Sequence, residues 1–520
     1  MLEFFKADPQ HFDLIFVANA TAAIKLVADG MRGNPHDKDV GFGYGYHAAA
    51  HSSLVGVREI ATAGSRCFNS DEEVEKWLLG EHKQSAPDAS SLSKPKLHLF
   101  AFPAQSNMNG RRLPLDWPGR LRASPRTEHQ DVYTLLDAAA YVTTAQLDLS
   151  DHLAAPDFVA LSFHKIFGFP DLGALIVRKD AGHVLRQRGY FGGGTIDMVI
   201  NGAKEESWHA LKLSSLHEAL EDGTPAFHSI LALEPALEVH RKLYRDMTSI
   251  SRHTCRLAKD LYESMSRMSH GNGTALCRIY KDPASHYGDA RSQGPTIAFN
   301  IQSSTQEWVG KSYVEQLAIV NGIQLRTGGV CNPGGIAWAL ELTAQEMREN
   351  YAEGLRCGNG VDELNGKPTG IVRVSLGAMS NTDDVVNLLS FLRLFIEENA
   401  GHVGVPRALA EKKSVKESMT TWVEETPTTE CTTMSTTMTL NEKPTKKPGD
   451  SEQQYTEYAC PVPGCGAITL TEEKLLEHFQ VHKTDRLCKA PAQDSQSSKP
   501  GAKPYAIVKA FMRKLRHATC

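Results

Sequence analysis

Short apolar runs alternate with longer amphipathic stretches over roughly the first 400 residues of this chain. Runs with strand character include 14–17, 97–100 and 132–136, and stretches with helical character are 20–29, 206–218, 228–246, 250–266, 310–320 and 382–398. Strands that alternate with helices are typical of an α/β domain. We therefore predict one α/β domain over residues 1–400.

Lys165 lies in a Gly- and aromatic-rich turn between two apolar runs, 158–161 and 172–177. A lysine in this position is predicted to be buried, and burial disfavours the ammonium, which suits an amine that must form a Schiff base. The segment alone is equally compatible with a lysine that extends from a strand end into solvent.

Asp137 ends another apolar run, 28 residues before Lys165, and three alanines follow it. Enzymes that use pyridoxal 5′-phosphate need a lysine for the Schiff base and a carboxylate that keeps the ring nitrogen protonated. Small residues after the carboxylate let a flat ring lie close to the backbone. Asp137 alone would be read as a cap or turn residue, but together with Lys165 it favours the cofactor.

Further motifs occur in a fixed order along the chain, at 19–23, 51–58, 102–107, 191–195, 326–334 and 366–375. With the Asp137 and Lys165 segments they resemble the class V aminotransferase and cysteine desulfurase family, most closely the N-terminal domain of molybdenum cofactor sulfurases. The resemblance implies fold type I of the pyridoxal phosphate enzymes: a mostly parallel sheet with helices on both faces, and a smaller α+β subdomain. Relatives usually carry a stretch before the first motif and a later domain for the molybdenum cofactor. We recognise neither here, and expect a short N-terminus.

The resemblance also implies roles for cofactor-binding residues. Lys165 would hold the cofactor, Asp137 would pair with the pyridine nitrogen, His51 would stack on the ring, and Asn107 would lie near the ring oxygen. The phosphate would be bound by Ala20, Thr21, Ser162 and His164. Thr195, after three glycines, resembles the loop that reaches the phosphate of a partner subunit, which implies a homodimer.

The substrate side of the implied site contains two arginines and a cysteine. Arg326 and Arg373 match positions that hold the substrate carboxylate, for which a guanidinium provides a two-pronged grip. Cys331 follows Arg326 by five residues, in a Gly- and Pro-rich segment that we expect to be a mobile loop. It would accept sulfur from L-cysteine as a persulfide, although most cysteines are simply small apolar residues.

Three functions follow as hypotheses. The first is a cysteine desulfurase-type sulfurtransferase similar to molybdenum cofactor sulfurase, with an unknown sulfur acceptor. The second is a pyridoxal phosphate enzyme with lyase or carbon–carbon bond-forming chemistry on an amino acid. The third is a zinc-finger adaptor whose enzyme domain has decayed.

Composition adds a cellular context. The net charge of −5 over 520 residues does not indicate a polyanion-binding protein. We find no apolar run long enough to span a membrane and no signal-peptide pattern. The ten cysteines form no disulfide framework, so we expect a reducing, cytoplasmic location.

The C-terminal part divides into three segments. Residues 402–455 are rich in Thr, Glu, Lys and Pro and are predicted to be a disordered linker. Residues 456–484 have the ligand spacing of a Cys2His2 zinc module, with Cys460, Cys465, His478 and His482 as metal ligands. A single finger with an acidic helix argues against DNA reading and favours a protein partner. The polar and basic tail 485–520 contains a candidate amphipathic helix at 507–516 for a membrane surface or partner.

Overall fold

The computed structural model describes residues 1–33, 41–81, 97–124, 132–203 and 206–397, and two short strands at 458–459 and 468–469. The chain divides into two units, Met1–Pro427 and Thr428–Cys520. Within the described residues, no helix combines the length and the apolar character that crossing a membrane requires.

The main sheet of the first unit is mostly parallel. Its strands are β1 (Phe12–Val17), β2 (Phe42–His47), β3 (Ser65–Phe68), β4 (Leu97–Pro103), β5 (Val132–Asp137), β6 (Phe158–Ser162) and β7 (Gly173–Arg178). Their order is β1-β7-β6-β5-β4-β2-β3. Pairs from β6 to β3 are parallel, whereas β7 runs antiparallel to both β6 and β1. The predicted α/β architecture with a mostly parallel sheet is confirmed.

Both faces of this sheet are buried, which explains why its strands are continuous apolar runs. Leu135 packs into the core on one face, and the next residue, Leu136, packs into the core on the other. In the same way, Leu99 packs into the first of these cores and Phe100 into the second. Successive side chains of a strand point to opposite faces of the sheet. When both faces are buried, apolar residues are needed at every position, and the sequence shows no alternation of apolar and polar residues.

Helices cover the sheet and build the rest of the unit. They are α1 (Ala20–Arg32), α2 (Ser52–Val55), α3 (Asp71–Leu79), α4 (Trp117–Ala123), α5 (His164–Phe167), α6 (Gly182–Leu185), α7 (Leu216–Leu220), α8 (Phe227–Tyr244), α9 (Met247–Ser266), α10 (Lys311–Val320), α11 (Pro333–Ala339), α12 (Ala344–Ala352) and α13 (Thr382–Arg393). Short 3-10 turns lie at Glu3–Phe5, Gly56–Ile60, Tyr141–Thr143 and Lys179–Ala181.

A smaller sheet forms the predicted C-terminal subdomain. It contains β10 (Cys277–Ile279), β11 (Thr296–Ile301), β12 (Arg326–Gly328) and β15 (Ile371–Ser375), in the order β10-β11-β15-β12 with antiparallel pairing. Leu261 of α9, Val314 of α10 and Leu392 of α13 share one core with its Phe299. The short strands β13 (Glu363–Leu364) and β14 (Lys367–Pro368) pair beside it.

One predicted helix is wrong. The segment 206–218 contains a strand, β9 (Trp208–Leu211), and then the start of α7. Strand β9 pairs antiparallel with β8 (Ile196–Ile200). The backbone N–H and C=O groups of this segment therefore form hydrogen bonds with β8, whereas in a helix they would bond within the segment itself. A partner strand outside the segment therefore decides its conformation.

The second unit contributes one described feature, an antiparallel pair of β16 (Tyr458–Ala459) and β17 (Ile468–Thr469). The proposed zinc ligands Cys460, Cys465, His478 and His482 lie outside the described residues, as do the linker 402–455 and the tail 485–520.

Candidate active site

A cavity of about 290 Å³ lies where several strands of the main sheet end. Strands β4, β5 and β6 end at Pro103, Asp137 and Ser162, and each of these residues lines the cavity. The carboxyl ends of parallel strands are the usual ligand position in open α/β sheets. The lining consists of Asn19, Ala20, Thr21, Ile24, His51, Ser53, Pro103, Gln105, Asn107, Asp137, Ala139, Ala140, Ser162, His164 and Lys165.

Lys165 lines this cavity but is exposed, so the prediction of a buried amine is wrong for this structure. The reason is the position of α5, which begins just after β6 ends. Within α5 the next residue, Ile166, takes the buried position, and Lys165 is left exposed. The amine is accessible to a molecule that enters the cavity.

Asp137 presents a carboxylate to the same cavity and is 8% exposed. Its Oδ1 accepts a hydrogen bond from the backbone N–H of Ala139 at 3.1 Å, which fixes one side of the group. Ala139 and Ala140 line the cavity next to it, so small side chains leave space beside the carboxylate. The structure thus brings Asp137 and Lys165 to one cavity, as the sequence predicts.

The start of α1 forms another part of the lining. Asn19 caps this helix by accepting the N–H of Ala22 at 3.1 Å, and the N–H of Ala20 donates to Ser162 Oγ at 3.0 Å. Thr21 Oγ1 lies 2.8 Å from Ser53 Oγ. A helix N-terminus with hydroxyl groups beside it is suited to an anion such as phosphate.

The imidazole of His51 is hydrogen-bonded to Ser53. Its Nδ1 accepts the backbone N–H of Ser53 at 3.1 Å and lies 3.0 Å from Ser53 Oγ. A neutral imidazole carries one proton. Because Nδ1 accepts a hydrogen bond here, that proton is on Nε2. Burial lowers the pKa of His51, Asp137 opposes this effect, and the cations Lys165 and Arg373 add to it. The ring is therefore mostly neutral at pH 7.

Arg326 and Arg373 are paired residues on the adjacent strands β12 and β15. Arg373 is half-buried, and its Nη1 donates to Asn107 O at 2.7 Å. Its Nε is buried and has no hydrogen-bond partner among the described residues. Burial lowers the pKa of Arg373, the cation Arg326 lowers it further, and Cys331 opposes both. Two neighbouring cations with an unsatisfied donor are suited to binding a carboxylate.

Cys331 is exposed and follows β12 by three residues. Its carbonyl accepts the N–H of Ser52, at the start of α2, at 2.8 Å. The carbonyl of Val330 accepts from Asn107 Nδ2 at 2.7 Å. The structure shows a segment that is hydrogen-bonded to two other parts of the chain, and the mobility of this loop stays a prediction.

Four of the predicted residues in the described ranges do not line this cavity: Thr195, Arg326, Cys331 and Arg373. Thr195 is fully buried, and its hydroxyl donates to Gly192 O at 2.7 Å. His164 lines the cavity, and its Nδ1 lies 3.4 Å from the Asp171 carboxylate. Nowhere in the described ranges do three His, Cys, Asp or Glu side chains form a metal-binding group.

The sequence prediction missed Ser53, Gln105 and Asn332. A sequence clue existed for Asn332, since asparagine before Pro333 is typical of a helix cap. The contacts of Ser53 and Gln105 join distant segments, and their local sequence is that of ordinary polar residues.

A larger cavity of about 570 Å³ lies along the outer side of α1, and its described lining includes Lys25, Arg32 and Arg188. Ala22, from the motif at 19–23, lines this cavity, but none of the predicted catalytic or substrate-binding residues does. The smaller cavity contains the amine, the carboxylate and the imidazole, so we assign the chemistry to it.

The residues of the smaller cavity fit pyridoxal 5′-phosphate. The cavity combines an accessible amine, a nearly buried carboxylate, a mostly neutral imidazole and a helix N-terminus with hydroxyl groups. These are the partners that an aldehyde, a pyridine nitrogen, an aromatic ring and a phosphate require.

Comparison with known proteins agrees with this assignment. The family described as Aminotransferase class-V matches residues 2–388. Molybdenum cofactor sulfurase of Aspergillus clavatus is 54% identical over 402 residues, which are 77% of this chain and 46% of the relative. The chain thus spans about half the length of the curated relatives it matches.

Solved structures show a similar fold. A cysteine desulfurase from Thermococcus onnurineus in its apo form aligns with a TM-score of 0.52 and 18% identity, over 75% of this chain and 80% of the other. The cystine C–S lyase C-DES, in complex with its product cysteine persulfide, aligns with a TM-score of 0.51 and 17% identity, over 76% of this chain and 84% of the other.

The family match covers well over half of the 520 residues and includes every described residue of the cavity. The resemblance stated from the sequence motifs is confirmed. The chain belongs to the aminotransferase class V family.

Proposed function

We propose that this chain is a pyridoxal 5′-phosphate-dependent sulfurtransferase that moves sulfur from L-cysteine onto Cys331. The observation that carries the proposal is the arrangement of Cys331. It is an exposed thiol, and its carbonyl accepts a hydrogen bond from the first turn of the helix that His51 caps. The preceding residue, Val330, is hydrogen-bonded to Asn107, which also accepts from Arg373. A thiol held near this arginine can meet the sulfur of a cysteine whose carboxylate the arginine binds.

The bound cofactor supplies an electron sink that allows the carbon–sulfur bond of cysteine to break. Lys165 binds the cofactor, and Asp137 stabilises a proton on its pyridine nitrogen. Arg326 and Arg373 hold the substrate carboxylate and so orient the substrate. His51, mostly neutral, can take or give a proton at Nε2.

Cys331 completes the transfer as a thiolate. It attacks the sulfur of the substrate, a new sulfur–sulfur bond forms, and the carbon–sulfur bond breaks. The products are L-alanine and a Cys331 persulfide, so no external oxidant or reductant is needed. The names of the Aspergillus relatives suggest the molybdenum cofactor as the final acceptor, which we include in the proposal.

Alanine release from L-cysteine tests this function directly. The purified chain is incubated with the cofactor, L-cysteine and dithiothreitol, and alanine is quantified. We expect the wild type to form alanine repeatedly, whereas Cys331→Ser should retain the cofactor absorbance and form none. Absence of alanine from the wild type, or equal alanine from Cys331→Ser, would refute the proposal. Pyruvate instead of alanine would indicate the alternative lyase chemistry.

A homodimer is part of the proposal. The hairpin β8–β9 exposes Met198, Val199, Ile200 and Trp208, and α8 exposes Phe227 and Leu231. Exposed apolar side chains on neighbouring turns and strands are typical of protein interfaces. The glycine loop before Thr195 leads directly into β8, so a partner on this hairpin would bring that loop close to a second protomer.

We further propose a zinc module in the second unit and a reducing, cytoplasmic environment. Cys460 and Cys465 lie in sequence between the paired strands β16 and β17, as expected for a finger with a hairpin before its helix. All five cysteines in the described ranges are free thiols, which is compatible with a reducing compartment. Loss of one bound zinc per chain in Cys465→Ser, measured by elemental analysis, would support the module.

A further inference from the structure

The side chain of Asn332 is completely buried directly after Cys331. Its Nδ2 donates to Ala49 O at 3.0 Å and to Asn107 Oδ1 at 2.9 Å, and it lies 3.4 Å from Ser106 Oγ. These partners belong to two segments that are distant in sequence from the Cys331 segment. One amide therefore joins the Cys331 segment to both of them.

The backbone next to this amide has an unfavourable conformation. Val330 has φ of 44° and Cys331 has φ of 55°, in the left-handed region that suits glycine. A β-branched residue such as Val330 is particularly unfavourable there. Such a backbone persists when its surroundings hold it in place. The hydrogen bonds of Asn332 are adjacent to this pair of residues and can supply that support.

Asn107 links the same network to the substrate side of the cavity. It accepts from Asn332 through Oδ1, donates to Val330 O through Nδ2, and accepts from Arg373 Nη1 through its carbonyl. The position of Asn332 is thereby tied to that of the arginine next to Cys331.

We propose that Asn332 is a positioning residue that keeps the Cys331 thiol near Arg373. The inference rests on the proposed function in assigning sulfur transfer to Cys331. Asn332 also caps α11, since its Oδ1 accepts the N–H of Gly335 at 2.8 Å. A serine can provide such a cap, but it is too short to reach Ala49 and Asn107 as well. Asn332→Ser therefore separates the two roles.

Alkylation with two reagents measures the thiol position without any turnover. Iodoacetate carries a carboxylate and iodoacetamide is neutral, so the ratio of their rates at a thiol reports nearby cations. The purified full chain is treated with each reagent, and Cys331 and Cys357 are quantified by peptide mass mapping. Both thiols are exposed, so Cys357 is an internal control. Arg373→Gln should lower the ratio at Cys331 and thus calibrate the measurement.

We expect Asn332→Ser and Asn332→Ala to lower the ratio at Cys331, by roughly ten-fold if the thiol leaves the field of Arg373. The ratio at Cys357 should not change. Buried Cys277 reports folding, because it reacts only if the chain opens. If Cys277 of Asn332→Ala is alkylated, that variant is not fully folded. The test then relies on Asn332→Ser, in which serine still caps α11. A wild-type ratio at Cys331 in the folded variants would overturn the proposal.

The proposed function can fail separately from this inference. If the ratio at Cys331 falls in the variants and the wild type forms no alanine, Asn332 positions the thiol but the sulfur chemistry is wrong. If the wild type forms alanine and the ratio does not fall, the function stands and Asn332 serves only as a cap.

Discussion

Arg373 combines a half-buried guanidinium, a hydrogen bond to Asn107 and an Nε that no described residue satisfies. We predict that Arg373→Gln raises the KM for L-cysteine by about ten- to hundred-fold, because a charge-assisted hydrogen-bond pair contributes roughly 1.5–3 kcal/mol. Steady-state alanine formation measures this change, and kcat should fall less than kcat/KM.

Arg373→Lys is the matched control for charge alone. It keeps the positive charge but loses the planar fork, so its KM should lie between those of the wild type and Arg373→Gln. A wild-type KM in Arg373→Gln would show that this arginine does not hold the substrate.

His240 is a buried imidazole in an aromatic cage formed by Phe4, Phe167 and Tyr244. None of the described side chains hydrogen-bonds its Nε2, and burial lowers the pKa of this histidine. The unfolded chain therefore takes up a proton at higher pH than the folded chain. Stability from this group is present above the unfolded pKa of about 6.5 and is lost as pH falls through the folded pKa.

We predict that His240→Phe makes the free energy of unfolding less dependent on pH between about pH 7 and pH 5. Urea unfolding at a series of pH values measures the slopes for both proteins. His228→Phe, which changes an exposed histidine on the same helix, should keep the wild-type slope. Identical slopes for the wild type and His240→Phe would contradict the assignment.

The start of helix α1 depends on its close contact with strand β7. A Cβ at Gly173 would lie 2.5 Å from Asn19 Cα and 2.6 Å from Leu161 O, which are both backbone atoms that cannot move easily. Gly173→Ala should therefore displace the turn before Ala20, where we place the phosphate. We predict weaker retention of the cofactor and lower stability.

Cofactor absorbance after gel filtration and the thermal midpoint measure these effects of Gly173→Ala. Gly56→Ala is the matched control, because Gly56 has a helical backbone and a Cβ added there would meet no atom of the described residues within 4 Å. Equal cofactor retention in the two variants would show that the start of α1 tolerates displacement.

Sequence patterns predicted elements whose environment is uniform along their length. Strands such as β4 and β5 are buried on both faces, so their apolar runs were sufficient. Strand β9 was missed because its conformation depends on pairing with β8, which a local pattern does not contain. The burial of Lys165 was wrong because α5 turns the residue out at the end of β6.

The whole unit exposes apolar side chains that a soluble monomer would rarely leave open, including Leu231 at 69% exposure and Trp208 at 53%. We predict that the protein is a dimer and that Leu231→Glu shifts it to monomer, because a buried unpaired charge is costly at an interface. Light scattering coupled to gel filtration measures the mass. Leu153→Glu, a similarly exposed leucine in another region, should remain dimeric. A monomeric wild type would contradict the prediction.

The candidate site was predictable where motifs carry the family resemblance. Lys165, Asp137, Arg373 and Cys331 belong to such motifs, and the structure places the first two at one cavity, while the functional roles of all four stay predictions. The helix-capping role of Asn332 has a sequence clue in Pro333, but its bond to Ala49 was not predictable, because that bond joins positions 283 residues apart. Such contacts exist only after the chain has folded.

The central claim is that the amine at position 165 binds the cofactor covalently. Borohydride reduction of the purified chain with pyridoxal 5′-phosphate fixes this bond, and peptide mass mapping then locates the label. We predict a single pyridoxyl-labelled peptide that contains Lys165, and no label in Lys165→Ala. Label on a different lysine, or no label in the wild type, would contradict the account.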